Sequence, residues 1–295
     1  MGTDAGTGSY DVGVFREAYG KVLAKWPADR EALNVPGAFG ATRVHMCGPC
    51  DAPPLVLLPG GGGATSASWF ANAEALSRDH RVYALDLIGQ PGLSTGEAGH
   101  PLRTVADLTA WLDGTLDGLG VDATALCGHS YGAWIALHYT VHAPHRVRRL
   151  ALLDPTGCFS RFRAAYLLRA GWMLLGRSAR RTRAFLEWET GGAPLDPEWL
   201  RLQEAAAGFP FVRPVAGPGP DRATAAALDV PTLLLLAGDS RAHDSRRVAV
   251  RAAEWLPRAE VTVLPDVSHH ALPHTCSAEL NRRLTDFLTG SLNDG

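Results

Sequence analysis

Ala125-Leu-Cys-Gly-His-Ser-Tyr-Gly-Ala-Trp134 is the stretch of sequence that decides the fold. Within it, Gly128-His-Ser-Tyr-Gly132 fits the pattern G-x-S-x-G, a sharp turn from strand to helix that lifts a serine hydroxyl clear of a sheet. The residues before the motif predict the end of a buried strand, and those after it predict a helix packed on that sheet. Side chains at Gly128 and Gly132 would collide where strand and helix cross. We expect Ser130 to have a strained backbone, which costs about 1–3 kcal/mol and is retained mainly at functional sites.

The composition is that of a large folded protein. Hydrophobic residues make up 46% of the 295 residues, enough for a sizeable core. The net charge of −2 gives no global field that would attract nucleic acid or an acidic membrane. No apolar run reaches the roughly 18 residues that span a bilayer. Residues 1–9 lack the features of a signal peptide and are predicted to be a flexible tail.

The five cysteines are scattered and odd in number, which predicts no disulfide framework and a cytoplasmic location. Cys47-Gly-Pro-Cys50 could mark a redox dithiol, but that chemistry needs a helix after the first cysteine to lower its thiol pKa. Asp51-Ala-Pro-Pro54 and a strand follow instead. We therefore predict a turn that joins Ala41–Met46 and Leu55–Leu58 in a hairpin. No second ligand pair at fixed spacing supports a metal site.

Further strands and helices alternate along the chain, which predicts an α/β fold. The predicted strands are 81–85, 147–153, 230–236 and 260–264, and the predicted helices are 10–23, 101–119, 245–256 and 277–288. From 156 to 229 the alternation stops and aromatic residues recur on helical faces. We interpret 156–229 as a helical cap inserted into a core of 10–155 and 230–295, with its arginines on a solvated face.

Pro59-Gly-Gly-Gly-Gly63 follows the predicted strand 55–58, and its bare backbone N–H groups are free to point at an anion. An oxyanion formed when a serine attacks a carbonyl needs two such donors, each worth about 3 kcal/mol. The backbone N–H of Tyr131, directly after the serine, is one candidate. We predict Gly61 as the other, with Gly62 as its neighbour.

A serine hydroxyl needs a positioned base, and that base needs an orienting acid. His269 follows a strand near the end of the chain and is the predicted base. We expect His129 to pack locally and His270 to point away.

Three aspartates remain open as the acid. Asp154 ends the strand after the elbow helix and is preferred. Asp239 lies early in a later loop, and Asp244 precedes a helix whose N-cap it could be.

The elbow motif, the glycine run, Asp86-Leu-Ile-Gly-Gln-Pro-Gly-Leu-Ser94 and Val267-Ser-His269 together resemble the α/β-hydrolase superfamily, and more narrowly its bacterial esterase-like members. The resemblance spans about 41–288 apart from the cap. It implies a mostly parallel central sheet flanked by helices, a nucleophile at Ser130, a base at His269, and oxyanion donors at Gly61 and Tyr131. The chain departs from the pattern twice. Pro59 stands where many members carry histidine, and Arg241 stands where many carry the acid.

The predicted activity is that of a serine hydrolase which cleaves a carboxylic ester, lactone or thioester through an acyl-enzyme. The substrate is expected to be a small molecule with an apolar moiety, and no cofactor or metal is predicted. The residues predicted to contact it are Gly62, Trp134, Phe159 and Trp188. Two alternatives stay open: a non-hydrolytic enzyme on the same fold, such as a lyase, acyl transferase or cyclase, and a ligand-binding protein. The oligomeric state is left open.

Overall fold

The computed structural model describes residues 10–210 and 212–290, so the predicted tail of residues 1–9 lies outside them. Within these ranges, nine strands form one sheet in the order β1-β2-β4-β3-β6-β7-β8-β9, with β5 paired to β2. The strands are β1 (Glu31–Gly37), β2 (Gly40–Cys47), β3 (Pro54–Leu58), β4 (Arg81–Leu85), β5 (Thr95–Gly96), β6 (Thr124–His129), β7 (Val147–Leu153), β8 (Thr232–Ala237) and β9 (Ala259–Leu264). β3, β4 and β6 to β9 pair in parallel, whereas β1, β2 and β5 are antiparallel to their partners.

Helices lie on both faces of the sheet. They are α1 (Val12–Leu23), α2 (Ala73–Leu76), α3 (Val105–Gly118), α4 (Tyr131–His142), α5 (Ala164–Leu175), α6 (Ala179–Glu189), α7 (Pro197–Ala206), α8 (Arg222–Ala226), α9 (Ser245–Trp255), α10 (Leu272–Thr275) and α11 (Ser277–Thr289). Alternate residues of a strand face opposite sides of its sheet. Accordingly Val56 and Leu58 pack with α3, α4 and α9, while Leu55 and Leu57 pack with α2 and α11. None of the described helices is long and apolar enough to cross a membrane.

The predicted hairpin between the second and third strands is wrong. β4 lies between β2 and β3, so their connection crosses over a strand. The hairpin partner of β2 is β1, which the sequence prediction missed because Pro36 interrupts its pattern. An edge strand tolerates proline, since one side of it needs no ladder hydrogen bonds.

The Cys47–Cys50 motif does not have the environment of a redox dithiol. Cys47 is fully buried at the end of β2, whereas Cys50 is exposed. Burial raises the pKa of the Cys47 thiol to about 11. A reactive thiol requires the opposite shift.

The two elbow glycines are explained by backbone contacts at the crossing of β6 and α4. A Cβ on Gly128 would lie 2.3 Å from the carbonyl oxygen of Gly132. A Cβ on Gly132 would lie 2.3 Å from the carbonyl oxygen of Leu58 and 2.5 Å from that of Pro59. The helix can therefore approach the sheet only where these positions carry no side chain.

We expect Gly132→Ala to lower the free energy of unfolding by about 3 kcal/mol or more, because its methyl group meets backbone atoms that cannot move aside. Urea denaturation measures this. The control is Gly114→Ala in α3, where an added Cβ meets nothing within 4 Å and should stabilise the helix by about 0.5–1 kcal/mol. Equal midpoints for the two variants would contradict the steric account.

Helices α5 to α8 of the described chain lie between β7 and β8. Helices α6 and α7 contribute Phe185, Trp199 and Leu202 to an apolar cluster shared with Phe15 and Tyr19 of α1. The insertion thus packs against the N-terminal helix, and the end of α6 lies near the loop after β9.

Candidate active site

Ser130 lies at the turn between β6 and α4. Its φ of 53° and ψ of −112° are strained for a residue with a side chain. The Ser130 N–H donates to the carbonyl oxygen of Leu153 at 2.9 Å, which ties the turn to the end of β7. The predicted strained backbone is therefore observed, and it presents the hydroxyl above the sheet.

Three side chains from distant parts of the chain meet at this turn. The Ser130 hydroxyl lies 2.8 Å from Nε2 of His269, which belongs to the loop after β9. His269 Nδ1 lies 2.6 Å from Oδ2 of Asp154, the residue after β7. Within the described ranges, the non-glycine residues with positive φ are Ser130, Asp154 and Asp266, and Asp266 lies in the same loop as His269. Backbone strain thus concentrates around these three side chains, as is common at functional sites.

The Asp154 carboxylate is completely buried and accepts hydrogen bonds at both oxygens. Oδ1 accepts from the Ala237 N–H and from His243 Nε2, each at 3.0 Å. Oδ2 accepts from the Ser240 hydroxyl at 2.9 Å as well as from His269. These partners fix the carboxylate so that one oxygen faces the imidazole.

The other two candidate acids have different contacts. Asp244 accepts from the Arg247 N–H and caps α9, the ordinary role considered for it. Asp239 is exposed, and its backbone N–H donates to the carbonyl oxygen of Val267. Within the described residues, Asp154 is the aspartate that bonds His269.

The electrostatics favour an ionised acid next to a neutral imidazole. Burial alone would raise the pKa of Asp154, but His243 and then His269 hold it well below its usual range. Burial lowers the pKa of His269, and the hydrogen bond and charge of Asp154 oppose this. At neutral pH His269 can therefore accept a proton, as a general base must.

The glycine loop after β3 lies against the elbow. A Cβ on Gly60 would be 3.5 Å from that of Ser130, and one on Gly61 would be 3.5 Å from that of Tyr131. Gly62 has φ of +76°, which glycine adopts without strain. Gly61 and Tyr131, the predicted oxyanion donors, therefore stand side by side next to Ser130.

An apolar cavity of about 300 Å³ opens above Ser130 between the sheet edge and the inserted helices. Gly62 and Trp134, two of the residues predicted to contact the substrate, line it. The larger apolar side chains that the inserted segment contributes include Phe162, Tyr166, Met173, Leu174, Phe185 and Leu186.

Two residues predicted to contact the substrate, Phe159 and Trp188, do not line this cavity. Phe159 is buried in the core, edge-on to Trp255. Trp188 packs on Phe185 and Tyr166 and lies beneath the guanidinium groups of Arg169 and Arg241. Helical periodicity identified aromatic faces, but it does not tell which face turns towards the serine.

The neighbouring histidines differ from expectation. His129 is buried and its Nε2 donates to the carbonyl oxygen of His269 at 2.9 Å, a bond across the site rather than a local one. His270 does not point away, because it lines the cavity. Both also contribute to the environment of the imidazole of His269, with ring centroids 5.0 and 4.9 Å away.

Sequence reasoning missed His243, which contacts Asp154, and Glu189, which contacts the His269 loop. Neither stands in a recognisable motif. No group of three or more histidine, cysteine, aspartate or glutamate side chains in the described part of the chain is arranged to hold a metal ion.

Known proteins resemble this chain over nearly its whole length. The family model described as "Alpha/beta hydrolase family" matches residues 55–283. Carboxylesterase YbfK of Bacillus subtilis is 28% identical over 293 residues, which cover 94% of each chain. The crystal structure of that carboxylesterase, CesB (YbfK), matches with a TM-score of 0.87 at 28% identity, and the match covers 94% of this chain and 98% of that chain. Naproxen esterase (carboxylesterase NP) of Bacillus subtilis has a TM-score of 0.85 at 27% identity, with 97% of this chain and 99% of that chain covered.

Proposed function

We propose that this chain, which belongs to the alpha/beta hydrolase family, is a serine esterase that cleaves a carboxylic ester through an acyl-enzyme on Ser130. The carboxylesterase relatives support ester hydrolysis as the reaction class. The observation that carries the residue assignment is the pair of hydrogen bonds, 2.8 and 2.6 Å long, that join Ser130 to His269 and His269 to Asp154. This arrangement makes a hydroxyl nucleophilic at neutral pH.

In the first half of the reaction, Ser130 Oγ attacks the ester carbonyl carbon while its proton passes to His269 Nε2. Asp154 keeps the other proton on Nδ1 and stabilises the imidazolium. The carbonyl oxygen becomes an oxyanion, for which the N–H groups of Gly61 and Tyr131 are the proposed donors. The C–O bond to the alcohol then breaks, and His269 returns its proton to the leaving alkoxide.

In the second half, water replaces the alcohol. His269 takes a proton from water as the oxygen attacks the acyl carbon, and a second oxyanion forms in the same place. Its collapse breaks the bond to Ser130 Oγ, which regains a proton from His269. The products are a carboxylic acid and an alcohol, and the enzyme is restored.

The cavity supports an apolar ester as substrate. Its volume of about 300 Å³ is at the lower end of the range for small-molecule sites, and its wall is mainly aromatic and aliphatic. We propose that residues 156–229 act as a cap that sets this shape, on a core of 10–155 and 230–295. All five cysteines are free, which supports a reducing, cytoplasmic location.

A burst experiment tests the proposal. With p-nitrophenyl butyrate, stopped-flow absorbance should show a rapid release of about one p-nitrophenolate per chain, followed by a slower steady rate, because the activated leaving group makes acylation faster than deacylation and the acyl-enzyme accumulates. Mass spectrometry of the quenched protein should place a butyryl group on the peptide that contains Ser130. Butyrate should accumulate as the final product. Nitrophenol release without butyrate would indicate acyl transfer to another acceptor, and absence of release would contradict an esterase.

A further inference from the structure

Glu189 connects the inserted helices to the loop that carries His269. It is the last residue of α6 and is 1% exposed. Its Oε1 accepts the backbone N–H of His269 and its Oε2 accepts that of His270, each at 3.1 Å. The His270 imidazole Nδ1 lies 3.2 Å from Oε2. A single carboxylate therefore holds two consecutive N–H groups of this loop.

The local structure of α6 does not account for an acid at this position. The C-terminal end of a helix carries partial negative charge, which disfavours a carboxylate there. Burial disfavours the charged form as well and would raise the pKa of Glu189. The hydrogen bonds and charges of His270, together with the charge of His269, instead lower that pKa to about 2. The ionised carboxylate is thus maintained by the loop it contacts.

We propose that Glu189 is a positioning residue for the base: it fixes the backbone of 269–270 and supplies negative charge that favours protonated His269. The inference rests on the proposed function, because in that function His269 takes the proton of Ser130. His269 is also held by the bond from His129 to its carbonyl oxygen and by the bond from its Nδ1 to Asp154, and earlier in the loop the Asp239 N–H donates to the Val267 carbonyl oxygen. Glu189 adds two hydrogen bonds from the insertion, and these reach the same backbone on its amide side.

The charge of Glu189 acts on His269 among several other ionisable groups. Asp154 at the end of β7 is the nearest and also favours protonated His269. His270 in the same loop opposes protonation. The remaining groups facing the ring are His129 of β6, Tyr166 of α5 and His243 of the loop after β8, with ring centroids 5.0, 6.3 and 6.4 Å away. Removing the charge of Glu189 leaves all of these in place.

Glu189→Gln tests both parts of the proposal. The amide keeps the size of the side chain, but its NH2 group faces one of the two backbone N–H donors, so one bond becomes a repulsion. We expect kcat on p-nitrophenyl butyrate to fall about 10- to 100-fold through misplacement of the imidazole. We expect the acid limb of kcat/KM in the unmodified enzyme to lie below the usual range of histidine, because burial lowers the pKa of His269. In Glu189→Gln this limb should move to still lower pH.

Two further variants separate position from charge. Glu189→Asp keeps the charge but withdraws the carboxylate, so its acid limb should stay near that of the unmodified enzyme while kcat falls. Glu187→Gln is the matched control, since Glu187 is an exposed residue of the same helix, and it should change neither quantity. If Glu189→Gln does not fold, the same comparison is made between Glu189→Asp and Glu187→Gln, and equal kcat values overturn the proposal.

The proposal is overturned if Glu189→Gln lowers only the melting temperature, with kcat per folded molecule and the acid limb equal to those of Glu187→Gln. Failure of the proposed function has a different result, namely no acyl-enzyme in the unmodified protein. In that case NMR titration of the His269 ring in a Ser130→Ala background still measures the effect of the Glu189 charge on the pKa of His269. There, adding Glu189→Gln should lower the pKa of the ring, and an unchanged titration overturns the inference independently of catalysis.

Discussion

Ser130→Ala should lower kcat for an activated ester about a million-fold, to the level that binding and the oxyanion donors alone support. The hydroxyl that receives the acyl group is lost, and the proton relay through His269 has no donor. Steady-state assays on p-nitrophenyl butyrate, with protein purified free of host esterases, measure the loss. The p-nitrophenolate burst should disappear with it. Retention of even one per cent of the activity would exclude Ser130 as the nucleophile.

Ser130→Gly provides a matched variant that uses the strained backbone. Both replacements remove the hydroxyl, but glycine adopts φ near 53° without a Cβ conflict. We expect Ser130→Gly to be equally inactive and to unfold at a higher urea concentration than Ser130→Ala. Equal midpoints would show that the elbow holds little strain.

Asp154→Asn should lower kcat about 10⁴-fold with little change in KM. The Ala237 N–H donates to Oδ1, so the amide oxygen of asparagine is expected at that position and the NH2 group at the position of Oδ2. The NH2 group would then donate to His269 Nδ1 and shift the imidazole proton to Nε2. In that tautomer Nε2 cannot accept the proton of Ser130.

The same substitution at Asp239 and Asp244 supplies the controls. Asparagine caps helices as well as aspartate does, so Asp244→Asn should keep α9 intact. Both variants should retain kcat within about twofold, because neither carboxylate touches His269 in the described structure. A loss of about 10⁴-fold in either one, with Asp154→Asn active, would reassign the acid.

Much of the fold could be predicted because its strands are short, apolar and bounded by turn residues. The expected strand over 147–153 matches β7, and the α/β-hydrolase fold itself is confirmed by the family match. β1 was missed because an edge strand needs only weak alternation and can include Pro36. Strand order was mistaken at β2 and β3, since sequence neighbours pair often but not always.

Ser130 and His269 could be predicted because each occupies a position in a local pattern next to a strand. The acid could not be chosen from the sequence, because each of the three aspartates follows a strand. Only the fold decides which carboxylate meets the imidazole. Contacts made by the inserted helices are harder still to predict, because no local sequence pattern marks them. Phe159 and Trp188, which were predicted to contact the substrate, therefore lie off the wall of this cavity, and no sequence signal marked Glu189.

The hydrogen bonds from Glu189 have a consequence for protein engineering. Exchanging the inserted helices between family members is an obvious route to new substrate preferences, because these helices shape the cavity. In this chain such an exchange would also remove the carboxylate beneath residues 269 and 270. A chimera should therefore keep a glutamate at the final residue of the second transplanted helix, or its turnover will fall for every ester regardless of how well the new pocket fits.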